Sequence, residues 1–202
     1  TSLLEALGAE VIDLGVVDDD FEGTKRALVS ASEQADCVIT TGGVSVGEED
    51  HVKAAVEAIG HLDLWKLAIK PGKPFASGKL SRDNNRSVQF FGLPGNPVSA
   101  FVTFVLLVRP ALLAMQGCKG NAPKSFHLSS GFSCRKTAER QEYLRVIVVT
   151  GSNSSVLMPY DNQSSGAAAS LSYSEGLAIV PPHSAVAIGD SLEYIPFSEL
   201  LN

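Results

Sequence analysis

The stretch Thr40–Gly47, Thr-Thr-Gly-Gly-Val-Ser-Val-Gly, constrains the fold more than any other: it lies between an apolar run, Asp36–Thr40, and a helical one, His51–Ile59. A strand that runs apolar without alternation is covered on both faces, as strands of parallel, helix-flanked sheets are. Upstream, Glu10–Leu14 reads as a further strand, and Phe21–Ala35 as a helix whose buried stripe is Ala27, Leu28, Ala31 and Ala35. Strand, helix, strand, helix is the pattern of an α/β layer. Leu62–Lys70, Phe75–Leu80 and Val88–Leu93 add strands, joined by Pro71-Gly72-Lys73-Pro74 and the polar Ser81–Arg86 turn, and the apolar helix Pro97–Met115 closes the unit at Gly117. The expectation is a three-layer α/β domain with a mostly parallel sheet over residues 1–117. Residues 118–125 carry the turn formers of a linker. Short β-rich runs at Glu142–Thr150, Val156–Pro159, Leu177–Val180 and Ser191–Ile195 then predict a small all-β domain over 126–202.

Composition narrows the function classes. With 22 acidic and 16 basic residues among 202, the net charge is −6, which disfavours a general nucleic-acid coat or an anionic membrane surface as partner. Any anion site is therefore local. The three cysteines, Cys37, Cys118 and Cys134, are odd in number, far apart and without C-x-x-C spacing, so neither a disulfide framework nor a structural zinc is indicated, and a reducing, cytoplasmic setting is expected. The longest apolar run, Phe101–Val108, falls short of the roughly 20 residues of a membrane span. Thr1–Gly8 reads as the middle and end of a helix, so a longer parent chain is expected.

Five places carry candidate chemistry. The loop containing Gly42, Gly43, Ser45 and Gly47 sits where backbone N–H groups and a helix dipole converge, a place that attracts anions, although a plain strand-to-helix turn accounts for it equally well. Its spacing matches neither the P-loop nor the dinucleotide fingerprint. Glu48-Glu49-Asp50 follows it; capping explains these acids, and the alternative is that Asp50, or Asp19 in the Asp18–Asp20 turn, holds a Mg²⁺ beside a phosphate. Between Asp63 and Asp83 the only charges are Lys66, Lys70, Lys73, Lys79 and Arg82. Lys66 and Lys70, four apart on one expected strand, face one side and clamp an oxyanion or else protect a sheet edge. Pro94, Gly95, Asn96 and Pro97 form a second strand-to-helix loop, with Asn96 suited to the N-cap and Pro97 to the first helical turn. Arg140 and Ser164 in the β half offer a guanidinium and a hydroxyl to a tetrahedral oxyanion, or are ordinary surface groups. No histidine shows ligand spacing and no nucleophile–base pattern appears, so covalent catalysis is unsupported.

Thr41–Asp50, then Trp65–Phe75 with its Lys-Pro-Gly-Lys-Pro core, then Gly92–Ala100, followed by Arg140–Tyr143 and Ser164-Ser165-Gly166, together resemble the molybdopterin molybdenumtransferases, the MoeA and gephyrin E-domain family. The likeness covers essentially the whole chain. It implies an α/β domain that binds molybdopterin, a C-terminal β domain, and insertion of molybdate into adenylylated molybdopterin with release of AMP, assisted by Mg²⁺. By motif position, Asp50 and Asp19 look like the family's acidic residues, Lys66 and Lys70 like its anion-handling lysines, and Pro94 and Pro97 like its rigid cleft loop. Arg140 and Ser164, or Ser165 in place of Ser164, look like its molybdate-side residues. A homodimer is implied as well. The family's domains before this region, and the strand with an acidic Thr-Gly-Asp-Glu-type motif that opens its α/β domain, have no counterpart in the sequence. Two related readings stand beside it: a molybdopterin adenylyltransferase, which would end near Gly117, and a non-enzymatic scaffold of the gephyrin type.

Overall fold

A computed structural model describes residues 1–44, 51–82, 86–151 and 154–201, and the backbone but not the side chains of Leu64 and Trp65. In chain order the elements are α1 (Ser2–Ala6), α2 (Phe21–Gln34), β1 (Cys37–Thr41), α3 (His51–Ile59), β2 (Gly60–Lys66), β3 (Ile69–Lys70), β4 (Pro74–Arg82) and β5 (Arg86–Leu93). There follow α4 (Pro97–Thr103), a π-helical turn (Phe104–Val108), α5 (Arg109–Met115), β6 (Phe126–Ser130), β7 (Gln141–Thr150), β8 (Ser155–Pro159), α6 (Ala169–Ser172), β9 (Gly176–Val180), β10 (Ser191–Pro196) and α7 (Phe197–Leu201). They fall into two compact units: residues 1–67 with 73–96, and residues 68–72 with 97–202.

In the first unit α2 starts where the Asp20 carboxylate accepts the Gly23 N–H at 2.7 Å, a capping bond that satisfies a donor the helix itself leaves unpaired. Leu28 on its inner face joins Val38, Ala55, Val56, Ala76, Leu80, Val88 and Phe90 in one core. Burying the Leu, Val and Phe side chains among them contributes about 1.5–3 kcal/mol each and holds α2 and α3 on the sheet. The strand order is β1-β5-β4-β2.

That sheet corrects the expected mostly parallel, three-layer α/β arrangement. Only β1 and β5 run parallel; β4 pairs antiparallel with both β5 and β2. Connection length is the cause. A parallel pair needs a crossover of a dozen or more residues, whereas Arg82 already opposes Arg86 with only three residues between them. Glu10–Leu14, expected as a strand, joins no sheet, and Ile12, Leu14 and Val16 stand exposed. The expected strand Leu62–Lys70 is in fact two. β2 ends at Lys66 in the first sheet and β3 belongs to the second, so the shared face inferred for Lys66 and Lys70 does not hold.

The second unit takes in the helical run Pro97–Met115, expected within the domain of residues 1–117; that run is long and apolar enough by composition to cross a membrane, yet half buried within the protein. Pro110 lacks an N–H and its ring crowds the carbonyl four residues earlier, at Leu106, and the wider π turn Phe104–Val108 lies where that crowding falls. The sheet is mixed, in the order β3-β7-β8-β6-β10-β9, and a further β7–β9 pairing closes its last five strands like a barrel. The β3–β7 and β6–β8 pairs are parallel. Val146, Leu157, Ala178, Val180, Val186, Leu192 and Tyr194 fill the interior.

Gly78 tests the tight β2–β4 contact. A Cβ there would lie 2.2 Å from the His61 carbonyl oxygen, a backbone atom that cannot rotate away. Gly78→Ala is expected to destabilise the protein by roughly 1–3 kcal/mol, the usual cost of overpacking, read as a lower urea midpoint.

Candidate functional site

In the first unit the two glycine-bearing loops meet. Leu93, at the end of β5, is the register partner of Thr41, at the end of β1, so parallel pairing delivers both loops to one sheet edge. The Gly42 N–H donates to the Leu93 carbonyl at 2.9 Å. Gly42 and Gly43 take φ of 85° and 66°, left-handed values that favour glycine. A Cβ on Gly95 would come within 3.6 Å of the Gly42 Cα, so bare backbone faces bare backbone. Underneath, Gly92 leaves room for Val44, whose Cγ1 would sit 2.3 Å from an added Cβ. Pro94 is buried while Gly95 and Asn96 are exposed, so the loop has a fixed base and an open rim. Exposed backbone over a rigid base is a chemistry suited to phosphate oxygens.

Lys66, at the end of β2, and Lys73, just before β4, stand at the same sheet edge, since Ala76 of β4 pairs with Gly92 of β5. Lys66 pairs with Pro74, and the Leu67 N–H donates to the Lys73 carbonyl at 2.8 Å. Asp19 is exposed beside the capping Asp20. Ser45, Gly47, Glu48, Glu49 and Asp50 lie outside the described residues, as does the Trp65 side chain.

The second unit assembles another group. Lys70 donates to Glu142 Oε1 at 3.0 Å, an ion pair in which Lys70 is about half exposed and Glu142 mostly covered. Exposed pairs of this kind contribute at most about 1 kcal/mol, so an anionic ligand competes for the ammonium. The β3–β7 pairing places Ile69 against Gln141, and Arg140 Nη1 reaches the Ile69 carbonyl at 3.4 Å, which sets Arg140 close to Lys70. A Cβ on Gly72 would meet Thr103 Cγ2 at 2.8 Å, so the turn after β3 lies against α4. At the start of that helix, one residue after Pro97, the Val98 N–H donates to the Ser165 carbonyl at 3.1 Å. Lys70, Arg140, Pro97 and Ser164 are thereby tied into one unit.

Inside the turn at 162–166 the two serines differ. The Ser164 hydroxyl accepts the Gly166 N–H at 3.4 Å, and the Ser164 N–H donates to Asn162 Oδ1 at 3.0 Å. Ser165 makes no side-chain hydrogen bond among the described residues. Sequence reasoning passed over the group that organises this turn. Arg145 is fully buried; its Nη2 donates to the carbonyls of Asn162 and Ser164 at 3.0 and 3.2 Å, and its Nε to Ser170 Oγ at 3.0 Å. In β7 Leu144, Val146 and Val148 face the interior, so Arg145 lies with Tyr143 on the opposite face, where the segment 162–170 covers it.

The displaced titrations belong to buried groups. Burial, with Asp36 nearby, pushes the Cys37 thiol up to about 12. Burial also raises the Tyr143 hydroxyl, opposed in part by the bond from Gln141, and lowers Arg145 from its usual value. None of these groups is a base or nucleophile poised for neutral pH. A groove of about 700 Å³ bounded by Glu57, His61, Lys79, Ser81 and Ser87 contains none of the candidate residues, and it is wide open to solvent.

Comparison with known proteins adds to this geometry. A family described as a probable molybdopterin binding domain matches residues 1–114, and the MoeA C-terminal region (domain IV) matches residues 128–197. The molybdopterin molybdenumtransferase of Haemophilus influenzae is 48% identical over 144 residues, covering 71% of this chain and 34% of that protein. The molybdenum cofactor synthesis protein cinnamon of Drosophila melanogaster is 39% identical over 159 residues, covering 75% and 25%. Among solved structures, a molybdopterin biosynthesis MoeA protein of Pyrococcus horikoshii superposes with a TM-score of 0.76 at 28% identity, over 96% of this chain and 46% of that one. The chain thus spans about a third or less of the length of these two curated relatives.

Thiol reactivity checks the electrostatics. At pH 8 iodoacetamide is expected to modify exposed Cys118 and leave Cys37 in its reduced, unlabelled form, because only the thiolate reacts. Peptide mapping reads the outcome, and equal labelling would contradict the raised thiol.

Proposed function

The chain belongs to the MoeA/gephyrin family, and from that premise we propose that the protein carrying it is an enzyme of molybdenum cofactor biosynthesis. The reaction is that of a molybdopterin molybdenumtransferase: molybdate enters adenylylated molybdopterin and AMP is released. One observation carries the reading. A loop pair of bare glycine backbone and a Lys70–Arg140 cationic group occur in a single chain whose two parts match the molybdopterin-binding family and the MoeA C-terminal region.

In this reading Gly42, Gly43 and Gly95 leave backbone open to the diphosphate, with Pro94 and Asn96 shaping the rim. Lys66 and Lys73 neutralise phosphate charge. Lys70 and Arg140 hold the tetrahedral oxyanion, Lys70 exchanging Glu142 for the ligand, and Ser165 with Pro97 and Ser164 completes that side. Fixed donors aimed at anions act without reorganising during the reaction. Asp50, Ser45 and Gly47 belong to the proposal by motif position alone, as do a homodimer and a cytoplasmic location. The Mg²⁺ that the resemblance implies finds no group of three or more His, Cys, Asp or Glu side chains among the described residues, and the Asp20 carboxylate is already engaged as a cap. Asp19 is exposed and Asp50 lies outside the described residues, and no step is routed through the ion. The adenylyltransferase reading is weaker, because it leaves residues 128–197 without a task.

The test is AMP release from adenylylated molybdopterin with and without molybdate. Molybdate-dependent AMP is expected; adenylylation of molybdopterin by ATP instead would overturn the reading. Arg140→Ala removes one charge-assisted contact, worth about 1.5–3 kcal/mol, and is expected to raise the apparent KM for molybdate roughly 10- to 100-fold.

A further inference from the structure

A cation buried without an anion is costly, and proteins keep one only where it does something apolar packing cannot. Arg145 is such a group. Its residue exposure is 0%, and no carboxylate forms an ion pair with it among the described residues. Every acceptor identified for its side chain belongs to one short segment: the carbonyls of Asn162 and Ser164, and Ser170 Oγ. Its backbone binds the same segment, since the Arg145 N–H donates to Gln163 Oε1 at 3.0 Å and Gln163 Nε2 donates back to the Arg145 carbonyl at 2.9 Å. Gln163 Nε2 also donates to the Tyr160 carbonyl at 2.7 Å.

The consequence falls on the next residue. Asn162 and Ser164 are drawn to one planar fork, Ser164 spends its hydroxyl on Gly166, and Ser165 gives its carbonyl to Val98. The chain is pinned on both sides of the Ser165 Cα, while its hydroxyl is uncommitted. We propose that Arg145 is a positioning residue: it gathers the carbonyls of Asn162 and Ser164 and so fixes the direction in which Ser165 presents its hydroxyl to the oxyanion. This inference rests on the molybdate reading above, and its own content is that Arg145 acts through Ser165 rather than on the ligand.

A planar guanidinium reaches three acceptors in fixed directions; an ammonium on a flexible stem does not reproduce that fork. Arg145→Lys therefore fails to rescue, and Arg145→Met, similar in length and apolar, removes the fork while filling the space. Two measurements on the natural protein decide the matter. Amide hydrogen exchange at residues 164–167 is expected to quicken about tenfold or more in both variants, as befits lost hydrogen bonds to a charged group. The apparent KM for molybdate is expected to rise by a similar factor while kcat stays within about twofold. The pairing with Ser165 separates positioning from bulk stability: Arg145→Met combined with Ser165→Ala is expected to bind molybdate no worse than Ser165→Ala alone. Additive losses would overturn the proposal, as would unchanged exchange in both Arg145 variants. Ser170→Ala, which removes the Nε acceptor together with the Ser170 hydroxyl's bond to the Ala167 carbonyl, supplies a milder version, read as a smaller rise in exchange at residues 164–166, should Arg145→Met fail to fold. If the unaltered protein releases no AMP in response to molybdate, the functional reading fails by itself and the exchange data alone judge the role of Arg145.

Discussion

The parallel pairing of β1 with β5 governs the first unit. Five register pairs end at Thr41 and Leu93, and the next residues of both strands are glycine-bearing turns. Parallel strands bring their carboxyl ends to one edge, the place where open α/β sheets bind ligands. The Gly42–Leu93 hydrogen bond then locks the turns together. With a side chain at Gly92, Val44 would lose its seat. The rest of the loop geometry follows from these small residues.

The second unit solves a different problem with a different device. Its turn at 162–166 has few apolar side chains to bury, so it is held by polar groups, with Arg145 and Gln163 contributing six hydrogen bonds between them. A fully satisfied polar network fixes one geometry in a way that interchangeable apolar contacts do not. Lys70, by contrast, is held loosely by Glu142 near solvent. One group is fixed and the other exchangeable, a division that suits a site which must both recognise an anion and release it.

Much of this was legible in the residues. The loops after β1 and β5 and the apolar helix from Pro97 follow from local pattern, and of the stripe expected on α2 Leu28 is buried, joined by Thr24 and Ser32 rather than by Ala27 and Ala35. Sheet direction did not, because the strand–helix alternation in residues 10–59 was extended to strands that have no helix between them. With only three residues between Arg82 and Arg86, a parallel crossover was already excluded. Glu10–Leu14 has the composition of a strand, but pairing is a tertiary property and local sequence does not contain it. Arg145 was hidden for the same reason: it lies on the face of β7 opposite Val146, where a charge reads as solvated until the segment 162–170 that covers it is known. The pairing of Lys70 with Glu142 joins residues 72 apart and depends on β3 leaving the first sheet.

The account stands or falls on whether the bare backbone at Gly42 and Gly95 receives the diphosphate. Calorimetric titration of adenylylated molybdopterin into the natural protein and into its Gly95→Ala variant tests this directly. The added methyl meets only ordinary contact at 3.6 Å, so the melting temperature should hold. Affinity should fall about tenfold, roughly 1.4 kcal/mol. Undiminished affinity in a folded Gly95→Ala protein would contradict the account.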